Sequence, residues 1–128
     1  MPHKPLVAIV DDDASMRRAT SNLLQSAGFA TATFAGAEAF LGSKRRRSVA
    51  CLVTDMRMPG MSGLELRESL VASCSDIPTV LMTAYADETT RARAREAGVI
   101  CFLVKPVAPE KLCECVRSAL ARRREPKA

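Results

Sequence analysis

Five short apolar runs alternate with stretches of helical periodicity along the chain. The runs are Leu6 to Val10, Ala30 to Phe34, Val49 to Thr54, Thr79 to Thr83 and Ile100 to Val104. Apolar runs of this length, each followed by a helical pattern, are the signature of βα units and of a parallel sheet covered by helices on both faces.

The helical stretches differ in quality. Between the first two runs, Met16, Ala19, Thr20, Leu23, Leu24 and Ala27 recur at three-four spacing. Asp13 or Ser15 is the N-cap candidate, and Gly28 stands where a C-terminal cap belongs. A shorter helix, Ala37 to Leu41, precedes the basic loop Lys44-Arg45-Arg46-Arg47. Ser62-Gly63-Leu64-Glu65 reads as a capping box that opens a helix burying Leu66, Leu70 and Cys74 and stopping before Pro78. The fourth helix, Asp87 to Ala97, has only alanine as apolar content, interleaved with Arg91, Arg93 and Arg95, and is expected to be weakly held. The last, Pro109 to about Arg123, carries Leu112, Val116, Ala119 and Leu120 on one face. It ends in Arg122-Arg123-Arg124, a favourable charge at a helix C-terminus. There are no internal repeats.

At 128 residues and 48% hydrophobic content, residues 1–128 are expected to be one domain, with no room for a separate effector. Residues 121–128 can be a natural terminus or the start of a linker to an absent effector domain. A net charge of +5 permits a nucleic-acid or acidic partner without requiring one. Only 4% of residues are aromatic, with no Trp and one Tyr, which leaves almost nothing from which to build a base-stacking platform. Cys51, Cys74, Cys101, Cys113 and Cys115 are an odd number without a secreted-scaffold spacing, and Cys51 and Cys101 lie in apolar runs. A reducing cytoplasm is the simplest setting. Cys113 and Cys115 point to roughly opposite sides of a helix and the one histidine, His3, is in the N-terminal tail, so a structural zinc site is disfavoured. The first apolar run is five residues long and ends in three aspartates, so it is neither a signal-peptide core nor a membrane span. A soluble, cytoplasmic domain without a membrane partner is expected.

In an open parallel sheet, ligands bind beyond the carboxyl ends of the strands. Here that edge collects Asp11, Asp12 and Asp13 from the first strand, Asp55 from the third, Thr83 and Ala84 from the fourth, and Lys105 from the fifth. Two unit charges about 4 Å apart repel by about 4 kcal/mol at an effective dielectric near 20, so clustered carboxylates call for a cation or raised pKa values. Hard carboxylate oxygens without clustered His or Cys suit Mg²⁺, with Mn²⁺ as the alternative ion. An acidic pocket rimmed by a lysine and a threonine reads as a phosphoryl-handling site. Any one aspartate after a strand is as readily a helix cap or turn residue. Agreement among four strand ends weighs against that, and Asp55 has no capping role because the next helix begins at Ser62.

The motifs Val10-Asp11-Asp12-Asp13, Thr54-Asp55-Met56-Arg57-Met58-Pro59, Ser62-Gly63-Leu64-Glu65-Leu66, Thr83-Ala84 and Phe102-Leu103-Val104-Lys105-Pro106 together resemble the receiver domain of bacterial two-component response regulators, of the FixJ-like type. The resemblance runs from about Leu6 to about Leu120. It implies an α/β, doubly wound (βα)5 fold: a parallel five-stranded sheet of flavodoxin-like order 2-1-3-4-5 in a three-layer α/β/α arrangement. It implies a signalling phosphoacceptor, rather than an enzyme, that assists its own phosphorylation and dephosphorylation. Asp55 would take the phosphoryl group from a phosphohistidine on a sensor histidine kinase. Asp12 and Asp55 would bind Mg²⁺ directly with the backbone carbonyl of Arg57, and Asp11 would act mostly through water. Lys105, preceding a Pro106 commonly joined by a cis bond, would pair with the phosphoryl oxygens, and the Thr83 hydroxyl and Ala84 amide would bond them. Thr83 and Phe102 would form the switch. Phe102 lacks a tyrosine hydroxyl, so its readout is by packing. The surface of helix four, strand five and helix five often serves the family as a partner or homodimer interface. Here it is basic and thinly apolar, with Thr90 and Arg95 where larger apolar residues are expected. FixJ-like relatives usually carry a DNA-binding domain beyond this point, so an effector domain controlling transcription, or a separate protein target, is the expected output.

Three other readings compete. A haloacid-dehalogenase-like phosphatase would use Asp11 as nucleophile and Asp13 as general acid, with Thr83 and Lys105. The chain is short for it, no acidic pair follows Lys105, and Asp55 is left without a task. A nucleotide or flavin binder of the same architecture needs phosphate-binding groups where three aspartates stand. Direct nucleic-acid binding through the arginine runs rests on charge alone and is not expected of this segment.

Overall fold

The computed structural model describes residues 4–124. The reading of His3, and that of residues 125–128 as tail or linker, lie outside the described residues, as do the side chains of Arg123 and Arg124. The elements are β1 (Leu6–Val10), α1 (Ala14–Ser26), β2 (Ala30–Phe34), α2 (Ala37–Leu41), a 3-10 turn (Lys44–Ser48), β3 (Cys51–Asp55), α3 (Gly63–Ala72), β4 (Thr79–Thr83), α4 (Glu88–Glu96), β5 (Cys101–Val104) and α5 (Pro109–Arg124). All strands are parallel, in the order β2-β1-β3-β4-β5. This is the doubly wound order expected from the resemblance.

Alternate strand residues face opposite helical layers. Val7 and Ile9 of β1, Cys51 and Val53 of β3, and Val80 and Met82 of β4 pack with Leu24 of α1 and with Leu112, Val116 and Ala119 of α5. Their neighbours Ala8, Val10 and Leu52 pack with Phe40 of α2 and with Leu66 and Leu70 of α3. A third, smaller cluster of Leu64, Leu81 and Ala94 seats α4. The central strands β3 and β4 are buried along their whole length, which is why their runs show no polar alternation.

Local signals set most boundaries. Asp13, not Ser15, caps α1, accepting from the amides of Ser15 at 2.9 Å and Met16 at 3.1 Å. The buried face of α1 begins a turn later than its periodicity suggests: Met16 and Ala19 are exposed, while Thr20, Ser21 and Leu24 are buried. Ser21 tolerates burial because its hydroxyl meets that of Thr31 at 2.8 Å. The capping box of α3 is present in both directions between Ser62 and Glu65. The basic loop after α2 closes as the 3-10 turn, and Val49 belongs to its end, so β3 starts at Cys51 rather than Val49. Likewise β5 starts at Cys101 rather than Ile100, and Cys101 is only partly buried. The expectation that α3 buries Cys74 is corrected: the helix ends at Ala72, Cys74 is exposed, and its φ is 61°. Cys113 and Cys115 flank the Leu112–Val116 stripe of α5, and both are buried in the same cluster.

Candidate functional site

Because all five strands run the same way, their C-terminal ends share one edge. Register fixes depth along it: Val10 pairs with Thr54, Asp55 with Met82, and Thr83 with Val104. Residues that follow these positions therefore arrive at one level. The Asp11 amide extends the ladder to the carbonyl of Phe34 at 3.1 Å, which holds Asp11 buried at the end of β1. Asp12 is exposed beside it. Asp55 closes β3 and is buried, and Lys105 directly follows β5, before a cis Lys105–Pro106 bond. The Lys105 ammonium lies 2.6 Å from Asp55 Oδ1, a charge-assisted contact at the centre of the site.

Asp11, Asp12 and Asp55 each bring a carboxylate oxygen within 4.8 Å of the others. Burial pushes the Asp11 carboxyl above its usual range; the Asp13 amide opposes that rise, and the charge of Asp55 adds to it. Asp11 Oδ1 accepts from the Asp13 amide at 3.0 Å, whereas the buried Oδ2 has no hydrogen-bond partner among the described residues. A buried carboxylate oxygen without a donor is costly. An orphaned oxygen, two neighbouring carboxylates and an all-oxygen donor set fit a hard divalent cation such as Mg²⁺.

The other expected residues are placed around this centre. Thr83 is buried, but its hydroxyl donates to the Tyr85 carbonyl at 2.9 Å and accepts from the Tyr85 amide at 3.1 Å, so it is held by its own loop rather than by Asp55. Ala84 is exposed next to it. Arg57 is exposed on the β3–α3 loop, with its guanidinium 5.1 Å from the Tyr85 ring centre. Phe102 is half-buried against the Leu64, Leu81 and Ala94 cluster, with the Arg91 guanidinium 5.0 Å from its ring centre.

Three roles escaped the sequence reading, those of Arg17, of Gly63 and of the Arg57 side chain over Tyr85. Arg17 donates to the Asp11 carbonyl at 2.6 Å from the end of the first turn of α1, fixing the backbone that presents the acidic pair. Gly63 lets the start of α3 lie on Asp55: a Cβ there would run into the Asp55 carbonyl and meet Leu81 Cδ1 at 2.9 Å. The Gly63 amide also bonds the Met56 carbonyl at 2.9 Å. Arg57 and Tyr85 span the loops on either side of the site. Gly63 left a trace, as a glycine directly after a helix cap, but that trace does not say what approaches it; Arg57 was read for its backbone carbonyl, not for its side chain.

The phosphatase alternative meets a local obstacle, since its general acid Asp13 is committed to capping α1 and its nucleophile Asp11 is buried and bonded to the Asp13 amide.

Comparison with known proteins identifies the family. The model of the response regulator receiver domain matches residues 7–117. The chain is 38% identical to the transcriptional regulatory protein FixJ of Bradyrhizobium diazoefficiens, over 100% of this chain and 62% of FixJ. It is 34% identical to the C4-dicarboxylate transport transcriptional regulatory protein DctD of Rhizobium meliloti, over 97% of this chain and 27% of DctD. The crystal structure of FixJ-N matches with a TM-score of 0.85 and 32% identity, covering 99% of this chain and 100% of that one. The response regulator StyR matches with a TM-score of 0.87 and 46% identity, covering 94% of this chain and 61% of that one. The chain thus spans less than two thirds of FixJ and of StyR. Every strand end that carries a polar group in the site falls inside the matched segment, and the chain belongs to the response regulator receiver domain family.

Proposed function

We propose that this domain accepts a phosphoryl group on Asp55 from a phosphohistidine of a sensor histidine kinase, in a Mg²⁺-dependent reaction. The observation that carries the reading is the Asp55 carboxylate held at the end of β3, with the Lys105 ammonium at 2.6 Å and two further carboxylates beside it. An Asp55 carboxylate oxygen forms the new bond to phosphorus while the phosphorus–nitrogen bond breaks, and its electron pair leaves with the imidazole. The product is an aspartyl phosphate.

Asp12, Asp55 and the Arg57 carbonyl would hold Mg²⁺, or Mn²⁺, with Asp11 acting through water, and the ion would supply positive charge against the phosphoryl oxygens. Lys105 already contacts the accepting carboxylate and follows the charge onto the phosphoryl group. Thr83 has to release the Tyr85 backbone before its hydroxyl reaches that group, where the Ala84 amide would also donate. Its rotation vacates space for Phe102, so the added charge on Asp55 biases a two-state packing element.

The domain is read as residues 1–128 of a cytoplasmic regulator, with 121–128 leading to an effector domain that controls transcription. The regulatory names of FixJ and DctD support this. The α4, β5 and α5 face would meet a target or a second copy, without contacting nucleic acid itself.

The deciding experiment is intact mass after incubation with acetyl phosphate and Mg²⁺. One phosphoryl group is expected on the wild type and none on Asp55→Asn or after chelation. A label that survives Asp55→Asn and maps to Asp11 would restore the phosphatase reading.

A further inference from the structure

Helix α4 is fastened to the rest of the domain largely by arginines. Its one buried residue is Ala94. At its C-terminal end, Arg67 of α3 donates from Nε to the Ala97 carbonyl at 2.8 Å and from Nη1 to the Ile77 carbonyl at 2.6 Å. In its middle, Arg93 reaches Glu68 of α3 at 2.9 Å, across a pair in which both side chains are half exposed. Toward its start, the half-buried Arg91 places its guanidinium over the Phe102 ring, 5.0 Å from the centroid. The last of these differs in kind from the others. Arg67 and Glu68 bind parts of the fold with no part in the switch, whereas Phe102 is the ring that has to move.

We propose that Arg91 is a positioning residue for the phosphoryl switch: its guanidinium, stacked on the Phe102 ring, latches that ring in the resting arrangement and so sets how readily Asp55 is phosphorylated. The inference rests on the proposed function, since it needs Phe102 to change place when Asp55 is charged.

Two observations identify the resting arrangement. The Thr83 hydroxyl is occupied by the Tyr85 backbone and not drawn to Asp55. The ring of Phe102 is half-buried against the cluster of Leu64, Leu81 and Ala94, beneath a cation. When the ring moves inward it loses the guanidinium, because Arg91 is carried on a separate element. An interaction present in one state and absent in the other shifts their equilibrium by its own strength. For a partly exposed cation–π contact, that strength corresponds to about a two- to five-fold change in population. Phosphoryl transfer that proceeds through the switched arrangement scales with its population, so the same factor sets the change in the rate of labelling.

The test uses the protein labelled with 4-fluorophenylalanine, with the Phe102 resonance assigned by Phe102→Leu. It is recorded with and without acetyl phosphate and Mg²⁺, alongside the rate of phosphoryl incorporation by intact mass. Arg91→Met keeps the aliphatic stem and removes the charge; Arg91→Lys keeps the charge. In unphosphorylated Arg91→Met the Phe102 resonance is expected to move toward its phosphorylated position, with incorporation faster by about two- to five-fold. Arg91→Lys should restore most of the wild-type behaviour, which a purely structural role for the side chain would not produce. The latch is overturned if Arg91→Met leaves both resonance and rate unchanged, or slows incorporation. It is also overturned if the wild-type Phe102 resonance is the same in both states while Asp55 is fully labelled. Absence of any label on the wild type strikes at the proposed function instead, and the mass spectrum separates the two failures.

Discussion

At the scale of single residues, the shape of the site depends on a side chain that is missing. Gly63 begins α3 one residue after its cap, and its Cα lies so close to β3 that a Cβ would meet the Asp55 carbonyl and, at 2.9 Å, Leu81 Cδ1. The obstructing atom is backbone, so relief requires α3 or the end of β3 to shift, and that movement displaces the Asp55 carboxylate, the proposed acceptor, from Lys105. Gly63→Ala is therefore expected to lower stability by about 1–3 kcal/mol in urea unfolding and to slow acetyl-phosphate labelling of Asp55. Gly36→Ala is the control, since its new Cβ meets no heavy atom within 4 Å and its φ of −169° is ordinary extended backbone. Equal stability in the two variants would mean that the strand end yields freely. Gly63 also marks where sequence reasoning stops. Asp11, Asp12, Asp55 and Lys105 were legible because each follows an apolar run and strand ends converge in a parallel sheet. The approach of Gly63 to Asp55, the turn of the Thr83 hydroxyl toward Tyr85 and the stacking of Arg91 on Phe102 are settled by neighbours that no periodicity records.

At the scale of elements, α3 shows how a correct helix can carry a wrong end. Its capping box, Ser62 to Glu65, is a local signal and is realised as such. Its end is not local: the apolar spacing runs on through Leu66, Leu70 and Cys74, yet the Ser75 amide turns back to the Leu70 carbonyl at 2.8 Å and closes the helix a turn early. That closure places Cys74 at φ 61°, the left-handed position where glycine is the usual occupant, and no glycine was there to announce it. An L-residue in this conformation costs about 1–2 kcal/mol, partly offset by the greater freedom glycine has when unfolded. Cys74→Gly should thus raise stability by about 0.5–1 kcal/mol, read as a higher urea midpoint at unchanged slope. Ser73→Gly, at φ −88°, should lower it. If both variants were destabilised alike, the left-handed turn would have to be credited with side-chain contacts that offset its strain.

At the scale of the whole molecule, the alternation of apolar runs with helical patterns pointed to the parallel sheet and its two covered faces, because strands buried on both sides, here β1, β3 and β4, read as near-continuous apolar runs. The order of the strands lies outside that alternation and came with the family's motifs. The two large clusters enclose β1, β3 and β4 between α1 and α5 on one side and α2 and α3 on the other. Helix α4 shares in neither; it rests on Ala94, on exposed or half-buried arginines and on the Arg67 bonds at its far end. Exposed ion pairs contribute little, typically less than about 1 kcal/mol. Opening α4 therefore exposes little apolar surface and breaks few buried bonds, whereas releasing β3 or β4 requires opening the cores on both sides of the sheet. Native-state amide exchange should accordingly be fastest, among the helices of nine residues and longer, in residues 88–96, and slowest in the amides of β3 and β4. Exchange in 88–96 as slow as in α1 would show that the arginine fastenings hold α4 as firmly as a packed core. In that event the proposed switch could not draw on local softness, and the Thr83 and Phe102 movements it calls for would have to occur beneath a fixed helix.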